Sequence, residues 1–133
     1  MGTRSFVGVM VGDKCRAVYV HWDGYLSGVG AELQSYTTQA EVEELIAGGD
    51  RSSLDDGCYK DRGEEDVGPV DYATFEEFYD VCASRWCEYY YIFKDGVWYC
   101  GDTYGQYGNG TPISKKLVPY AEAVKLTREE EAA

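Results

Sequence analysis

The chain has 133 residues, 44% of them hydrophobic and 15% aromatic, which suits one globular domain over residues 1–133 and argues against a disordered chain. Its formal net charge of -12 argues against direct nucleic-acid binding, because phosphate affinity needs clustered Lys and Arg, and favours a basic partner. No apolar run approaches the roughly 20 residues of a membrane span, so no membrane partner is expected.

In chain order, Ser5 to Val11 alternates, with Val7, Val9 and Val11 on one face. Gly12-Asp13-Lys14 reads as a turn, and Cys15 to Trp22 alternates again. Val18, Val20 and Trp22 share one face of this second run, and Cys15, Ala17, Tyr19 and His21 the other. Two alternating runs around a Gly-containing turn predict an antiparallel hairpin. Gly8 within the first run marks a bulge or a close approach.

Gly30 to Tyr36 is compatible with a short helical turn. Thr38 and Glu41 then form a capping box, each side chain serving the other residue's backbone donor, and predict a helix over Gln39 to Ala47. Val42, Leu45 and Ile46 point inward, and Gly48-Gly49 supplies the stop. Asp50 to Asp71 reads as an acidic loop with a short strand near Cys58 and Tyr59. Thr74 and Glu77 repeat the box before a helix from Phe75 to about Ala83, whose buried stripe is Phe75, Phe78, Tyr79 and Cys82.

Trp86 to Lys94 is dense in β-preferring aromatics, with Tyr89, Tyr91 and Phe93 on one face and Tyr90 and Ile92 on the other. Asp95-Gly96 is a favoured two-residue hairpin turn, and Val97 to Gly101 returns. A Gly-rich loop with Tyr104 and Tyr107 follows. Tyr120 to Glu131 reads as a terminal helix with Pro119 in its first turn, frayed where Glu129-Glu130-Glu131 opposes the helix dipole.

The 13 Tyr against 4 Phe suggest a half-exposed sheet whose wet face carries Tyr. The cysteines are five (Cys15, Cys58, Cys82, Cys87 and Cys100), with no Cys-x-x-Cys spacing and no opening signal-peptide pattern. Free thiols in a reducing bacterial cytoplasm are the expectation. With a single His and no paired ligand spacing, neither a metal nor another cofactor is expected.

The charge is uneven. Glu41 to Asp80 holds 14 acidic against 3 basic residues, nearly all of the chain's net charge. A solvated helix–loop–helix face is one reading of this block. The other is a docking surface for a basic groove, in which carboxylates stand in for nucleic-acid phosphates. Glu43, Glu44, Asp55, Asp56, Glu64, Glu65, Asp66, Glu76 and Glu77 are the candidate contacts, with Tyr104 and Tyr107 as aromatic anchors. The Asp55 to Asp66 stretch lacks the EF-hand spacing needed for calcium.

The segment "VYVHWDGYLSGVG" holds the only histidine. Its plain reading is a strand end closed by Asp23-Gly24. A ligand loop of His21, Trp22, Asp23, Tyr25, Gly28 and Gly30 is the alternative. There the glycines would admit an anion to backbone N–H groups and the rings would stack on a base, although the spacing matches no dinucleotide or P-loop motif. A hydrolytic site on His21 and Asp23 is a third reading, with no nucleophile elbow or carboxylate pair beside it.

Together with "TTQAEVEELIAGGDRSSL", "KDRGEEDV" and "YIFKDGVWYC", this segment resembles a group of small acidic proteins encoded by bacteriophages and prophages, over Arg4 to Asp102. No activity, fold name or catalytic residue comes with that group. The resemblance implies a viral or mobile-element setting and favours a protein that binds and disables host machinery.

The expected fold is therefore α+β: an antiparallel sheet of two hairpins with two or three helices packed on one face. The expected function is a non-enzymatic, phage-derived inhibitor of a basic, nucleic-acid-handling host protein such as a defence nuclease or CRISPR complex. The alternative is a nucleotide or signalling-ligand binder using the His21 loop.

Overall fold

A computed structural model describes residues 4–22, 24–51, 54, 68–84, 89–102 and 118–122. Its strands are β1 (Ser5–Val11), β2 (Lys14–Val20), β3 (Val70–Tyr72), β4 (Tyr89–Lys94), β5 (Val97–Asp102) and the two-residue β6 (Val118–Pro119). They form one mixed sheet in the order β3-β2-β1-β4-β5-β6. A π-helical turn, Leu26–Gly30, leads into the single turn α1 (Ala31–Leu33), followed by α2 (Gln39–Ala47) and α3 (Phe75–Ser84).

Both expected hairpins form. The β1–β2 turn needs only Gly12 at positive φ (64°), whereas β4–β5 turns through Asp95 and Gly96, both at positive φ (52° and 80°). The two hairpins are not joined as a purely antiparallel sheet. β1 and β4 run parallel, in register from Ser5 opposite Tyr89 to Val9 opposite Phe93. A parallel pair requires a crossover, and the chain from β2 to β4 with its helices supplies it.

The helices do not share one face either. Val42, Leu45 and Ile46 of α2 pack with Val7, Val9, Val18, Val20, Tyr91 and Phe93. Phe78 and Cys82 of α3 pack with Phe6, Cys15, Ala17, Tyr90 and Ile92. These strand residues alternate, so α2 and α3 lie on opposite faces of the sheet. Coverage on both sides explains the tyrosines: Tyr89, Tyr90 and Tyr91 are all buried, and no half-wet Tyr face exists on β4. Five successive buried residues in both β1 and β4 are the pattern of strands covered on two sides.

Both capped helices appear where expected. Thr38 Oγ1 accepts from the Glu41 N–H (3.2 Å) and donates to Glu41 Oε1 (2.9 Å), so the carboxylate serves the threonine hydroxyl rather than its backbone N–H. At α3, Thr74 Oγ1 accepts from the Glu77 N–H, and Glu77 Oε2 accepts from the Ala73 N–H. Gly49, at φ 86°, turns the chain after α2. Arg51, itself buried, donates from Nη2 to the Leu45 carbonyl at that helix end (3.1 Å).

β3 begins inside the stretch read as loop, Asp50 to Asp71, and runs one residue past it. Two exposed residues and the half-buried Tyr72 after Pro69 carry too little pattern to announce a strand. Pro119 sits in β6, paired with Tyr99, and the helical turn starts only at Tyr120. The expected strand near Cys58 and the body of the terminal helix lie outside the described residues.

Two glycines are set by close approach. A Cβ on Gly8 would lie 2.9 Å from Ile92 Cδ1, so Gly8 marks a contact and not a bulge, and the register through it is unbroken. Gly101 lies directly opposite Tyr90, whose ring covers it. Gly101→Ala would force that fully buried ring aside. We expect a loss of about 1–3 kcal/mol, typical of core overpacking, read as a lowered urea midpoint; an unchanged midpoint would contradict the packing described.

Candidate functional site: the aromatic loop and the acidic helices

The His21 segment is held from three directions. At the end of β2, the His21 N–H donates to the Arg51 carbonyl (3.2 Å) and the Arg51 N–H to the Tyr19 carbonyl (3.0 Å). Asp50 Oδ1 accepts from the Tyr19 N–H at 2.8 Å. Residues 50 and 51 thus pair with the last part of β2, while β3 pairs with Cys15 to Ala17.

Beyond the strand, the buried Tyr91 hydroxyl donates to the Gly24 carbonyl (2.6 Å), and the Tyr120 hydroxyl donates to the Leu26 carbonyl (3.0 Å). Both rings also press on Gly30, where a Cβ would lie 3.0 Å from Tyr120 and 3.1 Å from Tyr91. Burial, reinforced by Cys100, Tyr89 and Tyr120 nearby, pushes the Tyr91 hydroxyl well above its usual pKa, so it stays a neutral donor.

Tyr19 and His21 are two apart on one face, and the Tyr19 hydroxyl meets His21 Nδ1 at 2.6 Å. His21 in turn packs perpendicular to Trp22, with ring centroids 4.6 Å apart. Trp22 is nevertheless 45% exposed and Tyr25 40% exposed.

Of the expected ligand-loop residues, His21, Trp22, Tyr25, Gly28 and Gly30 come together in this one loop, and Asp23 lies outside the described residues. The glycine backbone is not open to an anion in the way the sequence suggested. The N–H groups of Gly28 and Gly30 both donate to the Tyr25 carbonyl, and Gly30 is buried under the tyrosine rings. For chemistry on His21, the shown polar partner is the Tyr19 hydroxyl. Cys15, on the same strand face, is fully buried and its thiol is pushed up to about 12, first by burial and then by Asp71. It is a packed thiol and not a nucleophile at neutral pH. Cys82 and Cys100 are likewise buried thiols outside any disulfide, and Cys58 and Cys87 lie outside the described residues.

Among the expected partner contacts, Glu43 and Glu44 are exposed on α2, and Glu76 and Glu77 on α3. Asp55, Asp56, Glu64, Glu65, Asp66, Tyr104 and Tyr107 lie outside the described residues. The two glutamate pairs therefore occupy opposite faces, and a single flank built from both helices is not what the fold provides. Their settings also differ. Glu43 lines an open cleft of about 260 Å³ with Val11, Lys14, Arg16 and Asp71, where basic groups are at hand. Arg16 Nε and Asp71 Oδ1 are 3.6 Å apart across the β2–β3 pair, an exposed contact worth little by itself. α3 carries no Lys or Arg, and Glu76 and Asp80 form no ion pair among the described residues.

The clamps from Tyr91 and Tyr120 escape sequence reasoning. A buried Tyr needs a hydrogen-bond partner, which is a usable signal, but its carbonyl lies 67 residues away in one case and 94 in the other. Comparison with protein-family models, curated proteins and solved structures finds no match.

Two expectations follow. Tyr91→Phe leaves the Gly24 carbonyl buried without its donor, at a cost of about 1–3 kcal/mol. It should lower the thermal midpoint and speed amide exchange across Leu26–Gly30. The second concerns pH. Cys15 titrates near 12 when folded against about 9 ordinarily, so its contribution to stability is complete below pH 9 and lost as pH rises toward 12, at no more than roughly 1.4 kcal/mol per pH unit. Urea titrations from pH 8 to 11 should show this alkaline loss in the parent protein and a flatter profile in Cys15→Ala.

Proposed function

We propose that the chain is a non-enzymatic, phage-derived inhibitor that binds a basic, nucleic-acid-handling host protein, of the defence-nuclease or CRISPR type, with carboxylates in place of phosphates. The observation that carries this reading is α3: Glu76, Glu77 and Asp80 are all exposed on a helix without a single basic residue. Such a row adds to an overall charge of -12 and attracts a positive groove, most strongly at low salt. The sequence resemblance to phage-encoded acidic proteins supports the setting.

α3 is a better candidate than α2. Lys14 and Arg16 beside Glu43 offset the negative potential on the α2 face, and a groove engaging both helices would have to straddle the sheet edge at β3. Capture of a nucleotide by the His21 loop finds less support, because the Gly28 and Gly30 donors already have an acceptor within the loop.

The test is capture of host proteins on the immobilised chain at low salt, followed by elution with single-stranded DNA. We expect DNA to displace the captured protein and moderate salt to abolish capture. Glu76→Lys with Glu77→Lys should remove it, while Glu43→Lys with Glu44→Lys should leave most of it. Capture that survives the α3 reversal and resists DNA would refute the proposal.

A further inference from the structure

A line of ring contacts runs from α3 to the surface. Phe78 of α3 meets Phe6 (5.9 Å between centroids), Phe6 meets Tyr19 (5.8 Å), Tyr19 meets His21 (5.8 Å) and His21 meets Trp22 (4.6 Å). The first three of these rings are buried or half-buried on the α3 side of the sheet. Trp22, at the end of the line, is one of five large apolar side chains exposed among the described residues.

Four such steps keep Trp22 within the span of one ordinary interface, roughly 30 Å across for about 800 Å² per partner. The indole is also held in place. The Tyr19 hydroxyl fixes His21, His21 packs on Trp22, and the backbone beyond is clamped at Gly24 and Leu26 by Tyr91 and Tyr120. A large aromatic ring kept exposed on a rigid backbone loses little freedom on binding, which is the property of an interface anchor.

Charge complementarity says what meets it. A chain of net charge -12 selects a basic partner, and of the two basic side chains the planar guanidinium is the one suited to lie on an indole. We propose that Trp22 is the aromatic anchor of the α3-side interface and receives an arginine of the basic partner on its exposed ring. This rests on the acidic-docking reading and specifies the group that reads the partner.

The test uses octa-arginine and octa-lysine peptides at low salt, followed by the indole N–H resonances. Trp98 serves as the folding reporter, since its Nε1–H donates to the part-buried Tyr36 carbonyl (2.9 Å) on the α2 side of the sheet. We expect octa-arginine to shift the Trp22 resonance and to bind about two- to fivefold more tightly than octa-lysine. Trp22→Ala should abolish that preference, leave salt-dependent binding of both peptides and leave the Trp98 resonance unmoved. Glu76→Gln with Glu77→Gln should weaken both peptides alike. An unmoved Trp22 resonance, or an arginine preference that survives Trp22→Ala, would overturn the anchor and leave acidic docking standing. A preserved Trp22 effect with no loss in the glutamine variant would overturn α3 docking instead.

Discussion

The parallel pairing of β1 with β4 determines what the rest of the molecule can be. It places two strands at the centre of the sheet and leaves neither face of them wet. Each must then be covered twice, and the chain does so with α2 and the Leu26–Leu33 turns on one side and α3 on the other. Full burial of a large apolar side chain contributes about 1.5–3 kcal/mol, so covering both faces of these strands outweighs any single surface interaction. The close approaches at Gly8 and Gly101 follow from the same arrangement. Ile92 of β4 lies against Gly8 and the Tyr90 ring against Gly101, while Tyr90 also packs on Phe75, Phe78 and Tyr79 of α3.

The local elements were legible because their signals are local. Capping boxes at Thr38 and Thr74, the Asp95-Gly96 turn and the stripe Phe75, Phe78, Tyr79 and Cys82 each act over a few residues. Alternation sorted the side chains of β1 and β2 correctly between the two faces as far as Val20, but Trp22, read as sharing the face of Val18 and Val20, lies beyond the strand, is 45% exposed and packs on His21. What alternation could not report is whether the second face is wet. Tyr fits a wet face or a covered one, and only the unbroken burial of "SFVGV" and "YYYIF" distinguishes them. Reading those runs as doubly covered strands would have indicated a parallel partner and a helix on each side.

The His21 loop shows the same limit at the level of a site. Three glycines and two exposed rings suggested an open backbone waiting for a ligand. The partners that close it, Tyr91 and Tyr120, come from 67 and 94 residues further along the chain and were unmarked in sequence. Hydroxyl-to-carbonyl bonds of this kind convert a permissive segment into a fixed one. The glycines then serve packing, as Gly30 does under two rings, and the exposed aromatics are the part left to face outward.

The placement of charge follows from the covering of the sheet and not from the sequence block. A run of acidic residues in one stretch of chain looks like one surface, yet the crossover puts α2 and α3 on opposite faces and divides it. The division is unequal. The α2 side brings Lys14 and Arg16 from β2 near Glu43, because even-numbered positions of that strand face α2. The α3 side of the same strand presents Cys15, Ala17, Tyr19 and then His21, which are apolar or aromatic. α3 itself carries no basic residue, and among the described residues Glu76 and Asp80 form no ion pair. Under the proposed docking, an acidic helix together with an exposed indole suits an arginine-rich partner better than either feature does alone.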